Sequence, residues 1–214
     1  MSTTPSKEVS QKLSYLYFYL HDISQEMQSV YGLIQIVEAT LSEHVELEAP
    51  KFFDMRGEFS VKISKGNPQV IKTMAKISFQ TAIINICRLS EAIGHSDMRQ
   101  LLKKYSPLSL ERFEIFIKKY YTKEVKYYRN KYSAHPINRD TDNFLNLKEI
   151  FNLIEKILNI SSMEKFRLDH FYGFVKEFHH PNITDPNQSI TWAIYEMSNE
   201  LRNNGITLDR EKDF

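Results

Sequence analysis

The string Arg129-Asn130-Lys131-Tyr132-Ser133-Ala134-His135-Pro136 holds residue types that phosphodiester cleavage can use. A histidine that titrates near neutrality can take a proton from a ribose 2′-hydroxyl or give one to a departing 5′-oxygen. A guanidinium can grip nonbridging oxygens as charge builds in the transition state. Asn130 can orient the phosphate or the imidazole by hydrogen bonding. Chemistry of this kind calls for no metal and no cofactor. Pro136 biases His135 away from the helical region, so the imidazole belongs at a helix end, where unpaired carbonyls favour its charged form. A plainer reading stands beside this one: a helix-terminal histidine and an ion-paired arginine with purely structural roles.

The preceding segment, Lys118 to Lys131, holds six basic residues against one acid, with Tyr120, Tyr121, Tyr127 and Tyr128 interleaved. Cations supply phosphate contacts and aromatic rings supply stacking platforms for unpaired bases, which makes Lys126, Lys131, Tyr128 and Tyr132 candidate substrate-binding residues. The alternative is a solvated cationic face whose tyrosines pack inward. Arg129 and His135 are six residues apart, about 120° around an ideal helix, so one copy does not readily aim both at the same atom. Two copies across a two-fold axis can do so, and a homodimer is expected.

Other chemistries lack their residues. There is no phosphate-cradling glycine loop, zinc-protease histidine pair or nucleophile elbow. His179 and His180 are adjacent and point apart on any regular element, while His21, His44, His95 and His170 are isolated. The single cysteine, Cys87, excludes a disulfide framework and a multi-thiolate zinc site. A formal charge of +1 removes any global field for nucleic acid or membrane, so a basic surface must be local. The polar N-terminus carries no secretory signal, and the greasiest stretch, Ile77–Cys87, is too short and interrupted to span a bilayer. A soluble cytoplasmic protein, not associated with membrane, is the expectation.

Six glycines and seven prolines in 214 residues leave too little punctuation for a sandwich or barrel. Apolar spacing predicts an all-α bundle. A first helix runs from Lys7 to about Glu46, with Leu13, Leu16, Leu20, Ile23, Met27, Val30, Ile34, Val37 and Leu41 on one stripe. An irregular connection with Pro50 and Gly57 includes Phe59, Val61 and Ile63 in alternation, which permits a short strand. The second helix, from Pro68 or Gln69 to Ile93, is apolar on most faces and belongs at the bundle centre, closed by a left-handed Gly94. A polar seam of Ser78, Thr81, Asn85 and Arg88 crosses it and must meet water, a polar element or a second chain. Arg88 and Glu91, one turn apart, make an i,i+3 ion pair, or else the seam from Ser78 to Arg88 faces the motif helix and buttresses its arginine. Helices follow at Met98–Tyr105, Pro107–Tyr121, and Thr122–His135 with Thr122 as N-cap. Leu147–Leu158, Met163–Phe178 and Ile190–Arg202 complete the set, and the charged tail after Gly205 frays.

The ordered string Arg129-Asn130…Ala134-His135, together with a hydrophobic second helix closing in Cys87-Arg88-Leu89-Ser90-Glu91, resembles the HEPN superfamily. Its abortive-infection branch in prokaryotic phage defence is the nearest likeness. The resemblance covers residues 8–160, giving a bundle over 1–160 and a C-terminal helical extension over 161–214 packed on the same domain. It implies a metal-independent endoribonuclease dimer acting on RNA, with Arg129, Asn130 and His135 at the centre and Arg88 and Glu91 supporting. It also implies toxin–antitoxin biology, with an antitoxin often of the minimal nucleotidyltransferase type. Some relatives are inactive, so a non-catalytic RNA- or protein-binding module is the alternative, and a helical enzyme acting on phosphate ligands is a further rival.

Overall fold

The fold is an all-α helical bundle. The computed structural model describes residues 5–41, 47–48, 60–61, 68–133, 137–138, 143–144, 147–162, 170–171, 174–175 and 190–208. Helix α1 spans Lys7–Leu41 and buries Leu13, Leu16, Leu20, Ile23, Met27, Val30 and Ile34, a strict three-and-four spacing. The expected continuation to Glu46 lies outside the described residues. In the connection, Leu47–Glu48 (β1) pairs antiparallel with Ser60–Val61 (β2), the short strand that alternation permitted.

Helix α2 (Pro68–Gly94) packs along α1 and contributes Phe79, Ile83, Ile86 and Leu89 to the core. Its central place is as expected, although Ile77 and Ile84 are 50% and 37% exposed. One expectation for it fails. Gly94 is the last helical residue rather than a left-handed cap. The described positive-φ residues are instead Asn159 and Gly205. These two close the helices Leu147–Leu158 and Ile190–Asn203, with Ile160 N–H donating to Glu155 O and Ile206 N–H to Leu201 O. The polar seam also divides. Ser78 and Asn85 turn into the bundle, where Ser78 Oγ and Asn85 Nδ2 are without partners among the described residues, and only Arg88 reaches a polar element.

Helices α3 (Ser96–Tyr105) and α4 (Pro107–Tyr120) follow, and α5 (Lys123–Tyr128) runs directly into a π-helical turn, Arg129–Ser133. A two-residue hairpin, Ile137–Asn138 (β3) with Asn143–Phe144 (β4), then precedes α6 (Leu147–Leu158). Within the expected helix Met163–Phe178, residues 170–171 and 174–175 are described and helical, with Phe171 and Val175 in the core. The last helix, α7 (Ile190–Asn203), buries Ile190, Ala193, Ile194, Met197 and Leu201 in that same core.

A carboxylate on α7 finishes the N-terminus of α4. Ser106 sits at the N-cap without capping its own helix, and Pro107 fills the first turn. Glu200 takes over the task, accepting from Leu108 N–H at 2.9 Å, Ser109 N–H at 3.0 Å, Ser106 Oγ at 2.8 Å and Ser109 Oγ at 2.5 Å. Orphan amides of a first turn thus meet a negative charge, which the helix dipole also favours. Arg112 and Glu196 add a 3.3 Å ion pair between the same helices. Replacing Glu200 with Ala strands these donors and should cost about 1–3 kcal/mol of stability in urea unfolding. An unfolding midpoint equal to that of the parent would show that the bonds carry no net stability.

Candidate functional site

The motif helix starts where Thr122 caps it, its side chain accepting from Val125 N–H at 3.3 Å. The side chains that follow separate by burial. Val125 and Tyr128 point into the core, Lys126 and Tyr127 point out, and Arg129 lies between. Tyr128 is 1% exposed, its ring edge-on to Phe79 at 5.2 Å between centroids. It therefore offers no face to a base, and its candidacy as a stacking residue is withdrawn in favour of a core role. Tyr120 is likewise buried beside Phe116. The inward reading of the tyrosines holds for these two. Tyr127 is the outward ring, a substrate-facing candidate that sequence reasoning did not single out. The signal available for it was its step of one residue from Tyr128.

Arg129 opens the π turn, its amide shared between the carbonyls of Val125 and Lys126. Wide turns of this kind are rare and recur at functional sites. The turn also removes the premise of an ideal α-helix from Arg129 onward, so the 120° separation expected between Arg129 and His135 does not apply. His135 itself lies outside the described residues, as does the side chain of Tyr132.

The guanidinium of Arg129 has two partners. Nη2 lies 3.2 Å from Glu91 Oε1, and Nη1 donates to Asn130 Oδ1 at 3.1 Å. Glu91 projects from the last turn of α2, so α2 holds the motif arginine from a neighbouring helix. Arg88 does not pair with Glu91. It turns to α1, where Nη1 donates to both oxygens of Glu26 at 2.9 and 2.8 Å, Nε donates to Tyr19 Oη at 3.3 Å, and Asn85 Oδ1 accepts at 2.9 Å. Arg88 therefore ties α1 to α2, while Glu91 meets the motif.

Along the same cationic stretch, Lys118, Lys119, Lys123 and Lys126 are exposed and Lys131 is half-buried. Beneath the Arg129–Glu91 pair lies Cys87, buried and free. Burial pushes its thiol up to about 11, Arg129 draws it back, Glu91 adds to the rise and Lys126 opposes it. Burial also raises the phenol of half-buried Tyr121, helped by Cys87 and Glu91 and opposed by Arg129 and a hydrogen bond with Ser90. Ser90 and Tyr121 are neighbours of the site that the motif string does not include. No group of three or more His, Cys, Asp or Glu side chains among the described residues is placed to hold a metal ion. No helix among them is long and apolar enough to cross a membrane.

A helical bundle with an Arg-Asn pair opening a wide turn, braced by the hydrophobic second helix, has the layout expected of a HEPN-type domain. The chain belongs to the HEPN-like integron domain family, which matches residues 10–162, a span that holds the motif, Glu91, α2 to α6 and all but the first three residues of α1. Comparison with curated proteins and with solved structures finds no match.

The buried thiol supplies a probe of this region. At pH 8 a group titrating at about 11 is ionised in roughly one molecule in a thousand. Iodoacetamide should therefore leave Cys87 unmodified in the folded protein and label it after denaturation. The native state keeps this proton where the unfolded chain releases it, so the thiol makes stability fall as pH rises from 9.0 towards about 11. Rapid labelling at pH 8 without unfolding would show that the thiol is open to solvent.

Proposed function

We propose that this protein is a metal-independent endoribonuclease acting as a homodimer in toxin–antitoxin or phage-defence biology. A ribose 2′-hydroxyl attacks the adjacent phosphorus and the 5′-oxygen departs, leaving a cyclic phosphate and a 5′-hydroxyl. The observation that carries the reading is one of position: a HEPN-family chain presents Arg129 and Asn130 bonded to each other, with Arg129 six residues ahead of His135. Arg129 binds the phosphate and its developing charge, Asn130 orients it, and His135 moves the proton as general acid or base. Lys126 and Lys131 guide the strand, and Tyr127 and Tyr132 are the candidate stacking residues of the same segment. The partner proteins are a second copy of the chain and an antitoxin of the minimal nucleotidyltransferase type.

A surface feature supports the second copy. Ile77, Ile84 and Glu91 recur at steps of seven along α2, so two exposed isoleucines line a stripe that leads to the Arg129 ion pair. A copy packed on this stripe brings two sets of motif residues near one groove and covers apolar surface. The competing reading, a binding module without catalysis, draws on the engagement of Arg129 by Glu91 and Asn130, which is also what a structural arginine would show.

Single-stranded RNA incubated with chelator present separates the two readings. His135→Ala should lower cleavage by roughly 10²–10⁴-fold with an unchanged melting temperature, as loss of an acid–base group does. Equal rates in parent and variant, or binding without turnover in the parent, would defeat the nuclease reading. For the dimer, Ile84→Glu should convert a dimeric mass to a monomeric one in sedimentation at micromolar concentration. An unaltered dimer mass would move the interface to another face.

A further inference from the structure

We infer that Glu91 is a specificity-determining residue, which tunes the Arg129 seat towards singly charged internal phosphodiesters and against doubly charged terminal phosphates. This rests on the assignment of Arg129 as phosphate binder and adds the charge class of the ligand. Two nitrogens of the guanidinium fork would face a phosphate, and in the free protein both are engaged, one by Glu91 at 3.2 Å and one by Asn130 at 3.1 Å. The site therefore holds an internal anion where the substrate's anion must go.

Magnitudes decide what that carboxylate does. The side chains of Arg129 and Glu91 are 36% and 53% exposed. Pairs as open as this contribute a factor of about two to five, so a ligand can displace Glu91. Displacement moves the carboxylate aside but leaves it on the last turn of α2, facing the bound ligand. Across about 5 Å of water-like dielectric, each unit of ligand charge then costs roughly a further fourfold in affinity. A phosphodiester carries one charge and meets this once. A phosphomonoester near pH 8 carries about two and meets it twice. The lysines nearby attract both ligands and favour the dianion, so Glu91 is the group that pulls the preference the other way. A site tuned in this manner takes phosphates from within a strand in preference to those at its ends.

Two uncleavable probes test this on the full chain by NMR titration at pH 8: thymidylyl-(3′→5′)-thymidine, with one internal diester, and thymidine 5′-monophosphate. Glu91→Gln should tighten both, and the monophosphate by about fourfold more than the diester. Glu91→Asp keeps the charge and should retain the parent's preference. Equal changes for the two probes, or weaker binding of both, would overturn the inference and leave Glu91 as a strut for Arg129. So would probe shifts that persist unaltered in Arg129→Ala. Matching melting temperatures exclude misfolding as the cause. Neither probe has a 2′-hydroxyl, so the result is independent of turnover. A shifted preference in a protein that does not cleave RNA would sustain this inference while the nuclease reading fails.

Discussion

Burial of Tyr128 against Phe79 sets the geometry of the motif. Thr122 fixes where α5 starts, and Val125 and Tyr128, three residues apart, fix which way it faces. With those two side chains inward, the intervening Lys126 and Tyr127 are turned to solvent, and Arg129 emerges along the edge next to α2. Successive residues on a helix differ by about 100°. A roll of one position would bury a cation and expose an aromatic, which the cost of desolvating an unpaired charge forbids. The presentation of Arg129 at the edge next to α2 is thus a consequence of where two hydrophobic side chains go.

The electrostatics of the region follow from that roll. A cationic stretch from Lys118 to Lys131 would repel itself, and the structure meets this by spreading its lysines over exposed positions of α4 and α5. The arginine at the edge receives a carboxylate from a different helix. Glu91 then acts on more than Arg129. With burial as the leading cause, its charge helps to keep the proton on Cys87 and on Tyr121, and Arg129 opposes it at both. Two hydroxyl- or thiol-bearing groups beside the ion pair therefore remain neutral at physiological pH. In their neutral forms they add no anionic charge of their own around Arg129.

Much of this was legible from residue spacing. The α1 stripe, the start of α4 at Pro107, α6 at Leu147–Leu158 and the Thr122 cap all rest on local rules, three-and-four spacing and capping chemistry, that tertiary context left intact. What escaped depends on contacts between distant segments. Periodicity alone cannot separate Tyr128 from Tyr127, since each belongs to an aromatic pair, and only the position of Phe79 assigns one to the core. Arg88 and Glu91 sit at ideal pairing distance along the chain, yet Glu26 and Arg129 offer each a partner from another element. The π turn has no compositional mark at all. Gly94 stays helical because glycine is permitted at positive φ without being obliged to adopt it.

The same dependence on distant contacts extends beyond the family's own span. The HEPN-like match ends at residue 162, but α7, at 190–203, supplies Glu200 to the first turn of α4 and Glu196 to Arg112 one turn further on. Helix α4 leads through Tyr121 and Thr122 directly into α5, with no loop long enough to absorb a shift. Fixing the N-terminal end of α4 therefore limits where its C-terminal end can place the Thr122 cap, and so the height at which Arg129 meets Glu91. Asn204, donating to the Tyr105 carbonyl at 3.0 Å, ties the end of α7 to the α3–α4 corner as well. The segment after the matched region is in this sense part of the frame that aligns the motif, by way of two carboxylates, one amide and two short helical junctions.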